Sequence, residues 1–241
     1  MTQQLFISDL HLSIERMDQV QLFLRFLTDR APKADHLYIL GDLFDAWVGD
    51  DYEAPPIPSI KQAMRRLSQS GTRLWLMHGN RDFLIGDDFC RDTGATLLQD
   101  PTLVDLYGSP TLLMHGDLLC TDDQAYMEFR REIRDPENIK QLLRQSIQQR
   151  LTLANSYRAK SGEAKSLKPE SIMDVNQETV ASYLVEYQTQ RLIHGHTHRP
   201  ADHVIELAGQ RHYRHVLAEW HQDHGEIFCV TADGFSRERF A

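Results

Sequence analysis

Residues 36–45 read HLYILGDLFD, an apolar run that stops abruptly at Gly41-Asp42. Such a run, with little polar alternation and a glycine turn at its end, predicts a buried strand. The same shape recurs on either side. Upstream, residues 5–8 run into Asp9-Leu10-His11; downstream, residues 74–77 lead to Gly79-Asn80-Arg81-Asp82. Between the first two runs, Met17, Val20, Leu24 and Leu27 recur at helical spacing. Between the second and third, Ile57, Ile60, Met64 and Leu67 do the same, closed by Gly71. The alternation is βαβαβ, which predicts an α/β fold with parallel strands joined by helical crossovers.

From about Thr96 the texture changes to shorter β-like runs at 102–107 and 111–114, and the final third is again strand-rich at 191–194, 204–207, 213–217 and 227–231. A different segment, 121–176, has helical spacing at Tyr126, Phe129 and Ile133, then at Ile139, Leu142, Leu143 and Ile147. Over 122–170 it carries ten basic against eight acidic residues, a net of +2, so a chain of net charge -9 carries -11 elsewhere. Within it, residues 161–169 (SGEAKSLKP) have the composition of a mobile loop.

With 241 residues and 41% hydrophobic content, one core is expected: a single domain over 1–241 with a helical insertion at 121–176. No apolar stretch approaches the roughly 18 residues of a membrane span. Leu5-Phe6-Ile7 follows the start with no basic stretch before it, so no signal peptide is expected. The three cysteines, Cys90, Cys120 and Cys229, are odd in number and scattered, which points to buried thiols and a reducing cytoplasm. A net charge of -9 argues against a general nucleic-acid partner, since no broad basic field is present to release phosphate counterions. Twelve histidines are the unusual number.

The chemistry sits where the strands end. Asp9-x-His11, Gly41-Asp42, Gly79-Asn80, His115-Gly116 and Gly195-His196-Thr197-His198 each follow a strand, and in open α/β sheets those carboxyl ends converge on one crevice. Carboxylate, imidazole and amide oxygen without thiolate is a donor set for first-row divalent metals. Alternate positions such as 9/11 and 196/198 let two side chains reach one site, and a glycine before Asp42, Asn80 and His196 lets the backbone turn sharply. Each motif alone is a common turn; the ordered set of five is specific.

That set resembles the calcineurin-like metallophosphoesterase superfamily over most of the chain outside the insertion. The resemblance implies a two-layer mixed β-sandwich flanked by helices, with two divalent metals at its edge. Carried over by position, Asp9, His11, Asp42 and His198 would hold the first metal and Asp42, Asn80, His115 and His196 the second, with Asp42 as the bridge. Two dications, two carboxylates and neutral donors leave the site at +2, cationic inside an acidic protein, and a metal-bound hydroxide would be the nucleophile.

One position departs from the superfamily pattern: Arg81 stands where most members have histidine after Gly-Asn. Arginine delivers no proton, but it clamps phosphoryl oxygens bidentately. A phosphate leaving group, with a second pKa near 6, needs no proton at neutral pH. Arg81 therefore marks a diphosphate substrate.

Arg81, Gly-Asp-Leu-Phe-Asp (41–45), Leu-Met-His-Gly-Asp (113–117), Gly-His-Thr-His-Arg-Pro (195–200) and the helical insertion together are similar to the bacterial pyrophosphohydrolase family that cleaves UDP-2,3-diacylglucosamine to UMP and 2,3-diacylglucosamine 1-phosphate in lipid A biosynthesis. That resemblance implies manganese, attack on the uridine-side phosphorus and a helical lid over two acyl chains. Asn80, Arg81, Asp123, Ser161, Lys165, Lys168 and His196 would contact the lipid-linked nucleotide, with Asn80, Arg81 and His196 as the catalytic set. No obligate protein partner is implied. An acylated substrate places the enzyme at the cytoplasmic face of the bacterial inner membrane, held peripherally through the insertion's apolar and basic residues.

Simpler readings stand beside these. Lys165 and Lys168 also read as solvated loop lysines, and Tyr126 and Arg158 as ordinary insertion residues. His36, His78, His203, His212, His215, His221 and His224 match no motif, and His194 reads as a strand-end histidine or a support for the ligands. Asp45 and Asp82 would orient ligands; Phe44 and Trp47 read either as acyl-pocket lining or as core. Two rival functions are a cyclic-nucleotide or dinucleotide hydrolase of the same superfamily, and a non-catalytic scaffold. The missing histidine after Asn80 and the long insertion count against the first, and the seven filled ligand positions against the second.

Overall fold

The computed structural model describes the backbone of residues 2–167 and 174–241, and side chains for all of these except 160–167. Strands β1 (Gln4–Ile7), β2 (His36–Leu40), β3 (Arg73–Met77) and β4 (Ala95–Leu98) run parallel, crossed by helices α1 (Met17–Asp29), α2 (Ile57–Gln69) and α3 (Asp87–Thr93). Then come β5 (Thr102–Leu106) and β6 (Ser109–Met114), helices α4 (Gln124–Ile133), α5 (Pro136–Leu143), α6 (Ile147–Leu167) and α7 (Gln177–Glu186), and strands β7 (Arg191–His194), β8 (Ala201–Leu207), β9 (Gln210–Val216), β10 (Gly225–Thr231) and β11 (Gly234–Phe240).

These form two mixed sheets. One has the order β11-β10-β1-β2-β3-β4, the other β5-β6-β7-β9-β8. Phe6, Tyr38, Leu40 and Met77 of the first face Leu113, Ile193 and Leu106 of the second. The outer face of the first sheet packs on the first three helices through Leu5, Ile7, Phe23, Phe26, Ile60 and Met64, and that of the second on α7 through Leu112, Leu192, Val180 and Leu184. The expected mixed sandwich flanked by helices is what forms. Each large apolar side chain buried in these layers contributes about 1.5–3 kcal/mol before its entropy cost.

The register places the site. Ile7 pairs with Ile39, and Ile39 with Leu76, so the turns after β1, β2 and β3 leave one edge side by side. In the second sheet Met114, His194 and Val216 are level, which brings the turns after β6, β7 and β9 to the same end.

Several expectations are corrected. The buried stripe of α1 is Gln19, Val20, Leu22, Phe23, Phe26 and Leu27, with Met17 exposed, because the bulky aromatics turn toward Trp220. The 161–169 stretch is not wholly loop: α6 continues through Leu167, and Glu163, Ala164, Lys165 and Leu167 are good helix formers that outweigh Gly162. Phe44 and Trp47 are core, 2% exposed, tilted against each other and edge-on to Phe89.

The segment 121–176 holds α4, α5 and α6. Asp135 caps α5, accepting from the Glu137 and Asn138 N–H groups at 2.9 and 3.2 Å, with Pro136 in the first turn. Ile139 and Leu142 rest on the main core. Arg150, 3% exposed, donates to the Val48 carbonyl and pairs with Asp51, anchoring the start of α6.

Candidate metal centre

Asp9, His11, Asp42, His196 and His198 have φ values of 55, 47, 52, 68 and 55°, which makes them five of the eight non-glycine residues with positive φ among those described. Left-handed backbone costs such a residue roughly 1–2 kcal/mol, and strain of this kind concentrates where side chains must be aimed. The turns are tied together by backbone bonds that hold the aim: His11 N–H donates to Asp42 C=O at 2.9 Å, Leu12 N–H to Leu43 C=O at 2.9 Å, and Gly195 N–H to His115 C=O at 2.8 Å.

The three glycines before the ligands act differently from expectation. Only Gly41 has positive φ, at +87°. Gly79 and Gly195 are needed for room: a Cβ at Gly79 would stand 2.0 Å from Asp42 Oδ1, and one at Gly195 would stand 2.3 Å from Asp9 Oδ2.

Two groups of donors form, each with its atoms within 4.8 Å of one another: Asp9, His11 and His198, and Asp9, Asp42 and His115. Asp42 faces one imidazole with each oxygen, Oδ2 at 3.8 Å from His11 Nδ1 and Oδ1 at 3.9 Å from His115 Nε2. Asn80 Oδ1 lies 3.1 Å from His115 Nε2, and the His196 ring centre lies 5.0 Å from that of His115. Six of the seven expected ligands are thus linked by direct side-chain distances, and His196 stands beside them, its N–H donating to Asp9 Oδ2 at 2.9 Å.

The donors fit cations. Asp9 is fully buried, yet its Oδ1 has no hydrogen-bond partner, and neither has His11 Nδ1; buried polar atoms left so cost about 1–3 kcal/mol each. His115 donates from Nδ1 to the Leu40 carbonyl at 2.9 Å, which turns Nε2 toward the oxygens of Asn80 and Asp42. Burial would lower the His115 pKa, but the carboxylates of Asp42, Asp117 and Asp9 push it up to about 9. At His198, burial is likewise overcome, here by the neighbouring carboxylates of Asp9 and Glu219, which push its pKa up to about 10. Both imidazoles sit in a field that attracts positive charge. Such a donor set suits hard and borderline divalent metals.

Around this centre the expected supports separate into two kinds. Asp82 takes the Leu43 and Gly79 N–H groups at 2.7 Å each, fixing the turns that carry Asp42 and Asn80. Asp45 instead pairs with Arg158 of α6. Arg81 is half-buried at the rim, and its guanidinium has no bonded partner among the described residues. Asp123 caps α4, accepting from Tyr126 N–H at 3.1 Å. The side chains of Ser161 and Lys165 and the whole of Lys168 lie outside the described residues. His194 is fully buried and lies 3.3 Å from Arg214 Nη1, so it is a core histidine whose pKa burial lowers to about 3.

Two residues were missed. Asp117, fully buried, accepts from Tyr126 Oη at 2.8 Å and Arg130 Nε at 2.7 Å, with Arg134 at 3.6 Å. Arg134 also donates to the Gly79 carbonyl at 2.8 Å. Among the described basic residues of the insertion, Arg130, Arg134, Arg150 and Arg158 are engaged by the protein's own acids and carbonyls. Asp117→Asn, which leaves two mostly buried guanidiniums short of their counter-charge, is expected to cost about 3–5 kcal/mol in urea unfolding; a loss below about 1 kcal/mol contradicts that role. Glu219, the second, bonds His198 Nδ1 at 2.8 Å. Its signal was present, since it follows a strand parallel to β7 at the same sheet edge.

Residues 3–200 match the model of the calcineurin-like phosphoesterase family. Proteins named UDP-2,3-diacylglucosamine hydrolase are 48% identical in Pseudomonas paraeruginosa, over 98% of both chains, and 50% identical in Chromohalobacter salexigens, over 98% of this chain and 96% of that one. The one from Marinobacter nauticus is 49% identical over 91% of this chain and 90% of its own. With that match over most of its length and relatives this close, the chain belongs to the calcineurin-like phosphoesterase family.

Proposed function

We propose that the chain is a UDP-2,3-diacylglucosamine hydrolase that splits the diphosphate into UMP and 2,3-diacylglucosamine 1-phosphate on the way to lipid A. Near-identity in length and 48% identity to proteins of that name support the substrate. One observation carries the chemistry: the buried Asp42 carboxylate faces His11 with one oxygen and His115 with the other, which suits two cations sharing one bridge. Asp9, His11, Asp42 and His198 would hold one cation and Asp42, Asn80, His115 and His196 the other, with manganese as the metal. When bound, the pair supplies Lewis acidity toward the phosphoryl oxygens and lowers the pKa of the attacking water.

The chain's own residues do the rest. Arg81 and Asn80 orient the diphosphate at the rim, and the Arg81 charge offsets negative charge growing on the leaving phosphate. His196 contacts the same group, and Asp123, Ser161, Lys165 and Lys168 approach the remainder of the substrate. The domain is single over 1–241, and the helices of 121–176 cover the acyl chains as a lid. Among its described residues, Arg131 and Arg144 are exposed with no ion pair, and Leu143 is 43% exposed.

No described helix is long and apolar enough to cross a membrane. A peripheral contact with the cytoplasmic membrane through Arg131, Leu143 and Arg144 is the reading taken. At about 1 kcal/mol per basic side chain, the double variant Arg131→Glu/Arg144→Glu should bind anionic vesicles at least about tenfold more weakly, and high salt should release the unaltered protein. Retention through both changes contradicts the assignment. The function itself is tested by UMP release from the lipid-linked nucleotide in detergent, beside a generic aryl phosphodiester. Metal-dependent cleavage of the first is expected; cleavage of the second alone would favour another phosphodiesterase.

A further inference from the structure

After β9 ends at Val216, the chain runs along the site edge through Glu219 to Trp220. Three hydrogen bonds fasten this stretch to the turn that carries Asp9 and His11. Trp220 N–H donates to the Asp9 carbonyl at 3.2 Å. The Gln19 amide, 1% exposed, donates to the Leu10 carbonyl at 2.5 Å and the Trp220 carbonyl at 2.8 Å. The Trp220 ring is itself fixed, 1% exposed and edge-on to Phe23 and Phe26. A buried glutamine on α1 and a buried tryptophan thereby set where Glu219 stands.

Glu219 Oε2 lies 2.8 Å from His198 Nδ1, while Nε2 of the same ring faces His11 Nε2 and Asp9 Oδ1, each at 3.4 Å. A carboxylate on one side of an imidazole holds the proton at that nitrogen, turns the other lone pair outward and strengthens it as a donor to a cation. We propose that Glu219 is a positioning residue for the cation site of Asp9, His11 and His198: it fixes the tautomer and orientation of His198, so the divalent-cation affinity of that site depends on it. The inference rests on His198 being a ligand, as proposed above.

Manganese alone is the probe, titrated into metal-stripped full-length protein against a fluorescent chelator. Glu219→Ala should weaken the affected site about 10–100-fold. Glu219→Gln should fall between Glu219→Ala and the unaltered protein, because its amide oxygen still accepts from Nδ1 but carries no charge. The side chain is 25% exposed, so neither variant opens the core. The metal-free thermal midpoint should hold, and the visible absorption of the cobalt-loaded protein should change in both variants, which a merely structural role would not cause. His198→Ala is the reference. If it weakens binding while both Glu219 variants stay within about twofold with unchanged cobalt spectra, the positioning role is overturned and His198 remains a ligand. If His198→Ala leaves binding intact, the ligand reading beneath it fails.

Discussion

Asp42→Ala is expected to lower turnover about a thousandfold or more, equivalent to about 4 kcal/mol of barrier, without unfolding the protein. The carboxylate is 2% exposed and faces both histidine groups, so its loss removes the one anion positioned between them. It also accepts the Arg81 N–H at 2.8 Å, so the turn carrying Asn80 and Arg81 loses its anchor at the same time. Folding should be spared because burial penalises this carboxylate strongly, pushing its pKa up to about 7 against the pull of His115, and alanine removes a costly buried charge. Steady-state kinetics with a metal titration reads the effect. Turnover within about tenfold of the unaltered protein at saturating metal would remove Asp42 from the centre of the mechanism.

Arg81→Ala should lower kcat/KM about 100–1,000-fold, the range for losing one preorganised donor aimed at developing charge. The reason lies in availability. Arg130, Arg134, Arg150 and Arg158 are all bound by the protein itself, whereas the Arg81 guanidinium has no bonded partner among the described residues. Its backbone is held from both sides, by Asp42 Oδ1 and by the Trp47 N–H that donates to its carbonyl at 3.1 Å. Arg81→His is the sharper variant. A histidine restores a proton donor that a phosphate leaving group does not need and removes the bidentate clamp, so it should be nearly as impaired as alanine. Turnover equal to that of the unaltered enzyme would contradict the clamp.

The centre was legible in the sequence because parallel strands bring their carboxyl ends to one edge, and motifs at Asp9, Asp42, Asn80, His115, His196 and His198 each follow such an end. What stayed hidden depended on distance rather than order. Helix α3 is seven residues between Gly86 and Gly94, too short to show a period. The crowding that requires Gly79 and Gly195 exists only once Asp42 and Asp9 are folded against them. Counting charges made the insertion look cationic, yet Asp117, just ahead of it, and Asp51, 99 residues from Arg150, neutralise its buried arginines. Glu219 sits 21 residues from its partner His198 in a stretch without a motif.

The most direct measurement hydrolyses UDP-2,3-diacylglucosamine with this protein and manganese in oxygen-18 water and locates the label by mass spectrometry. Attack on the uridine-side phosphorus, with Arg81 clamping the departing phosphate, predicts one labelled oxygen in UMP and none in 2,3-diacylglucosamine 1-phosphate. Label in the lipid phosphate, or no UMP at all, would contradict the account.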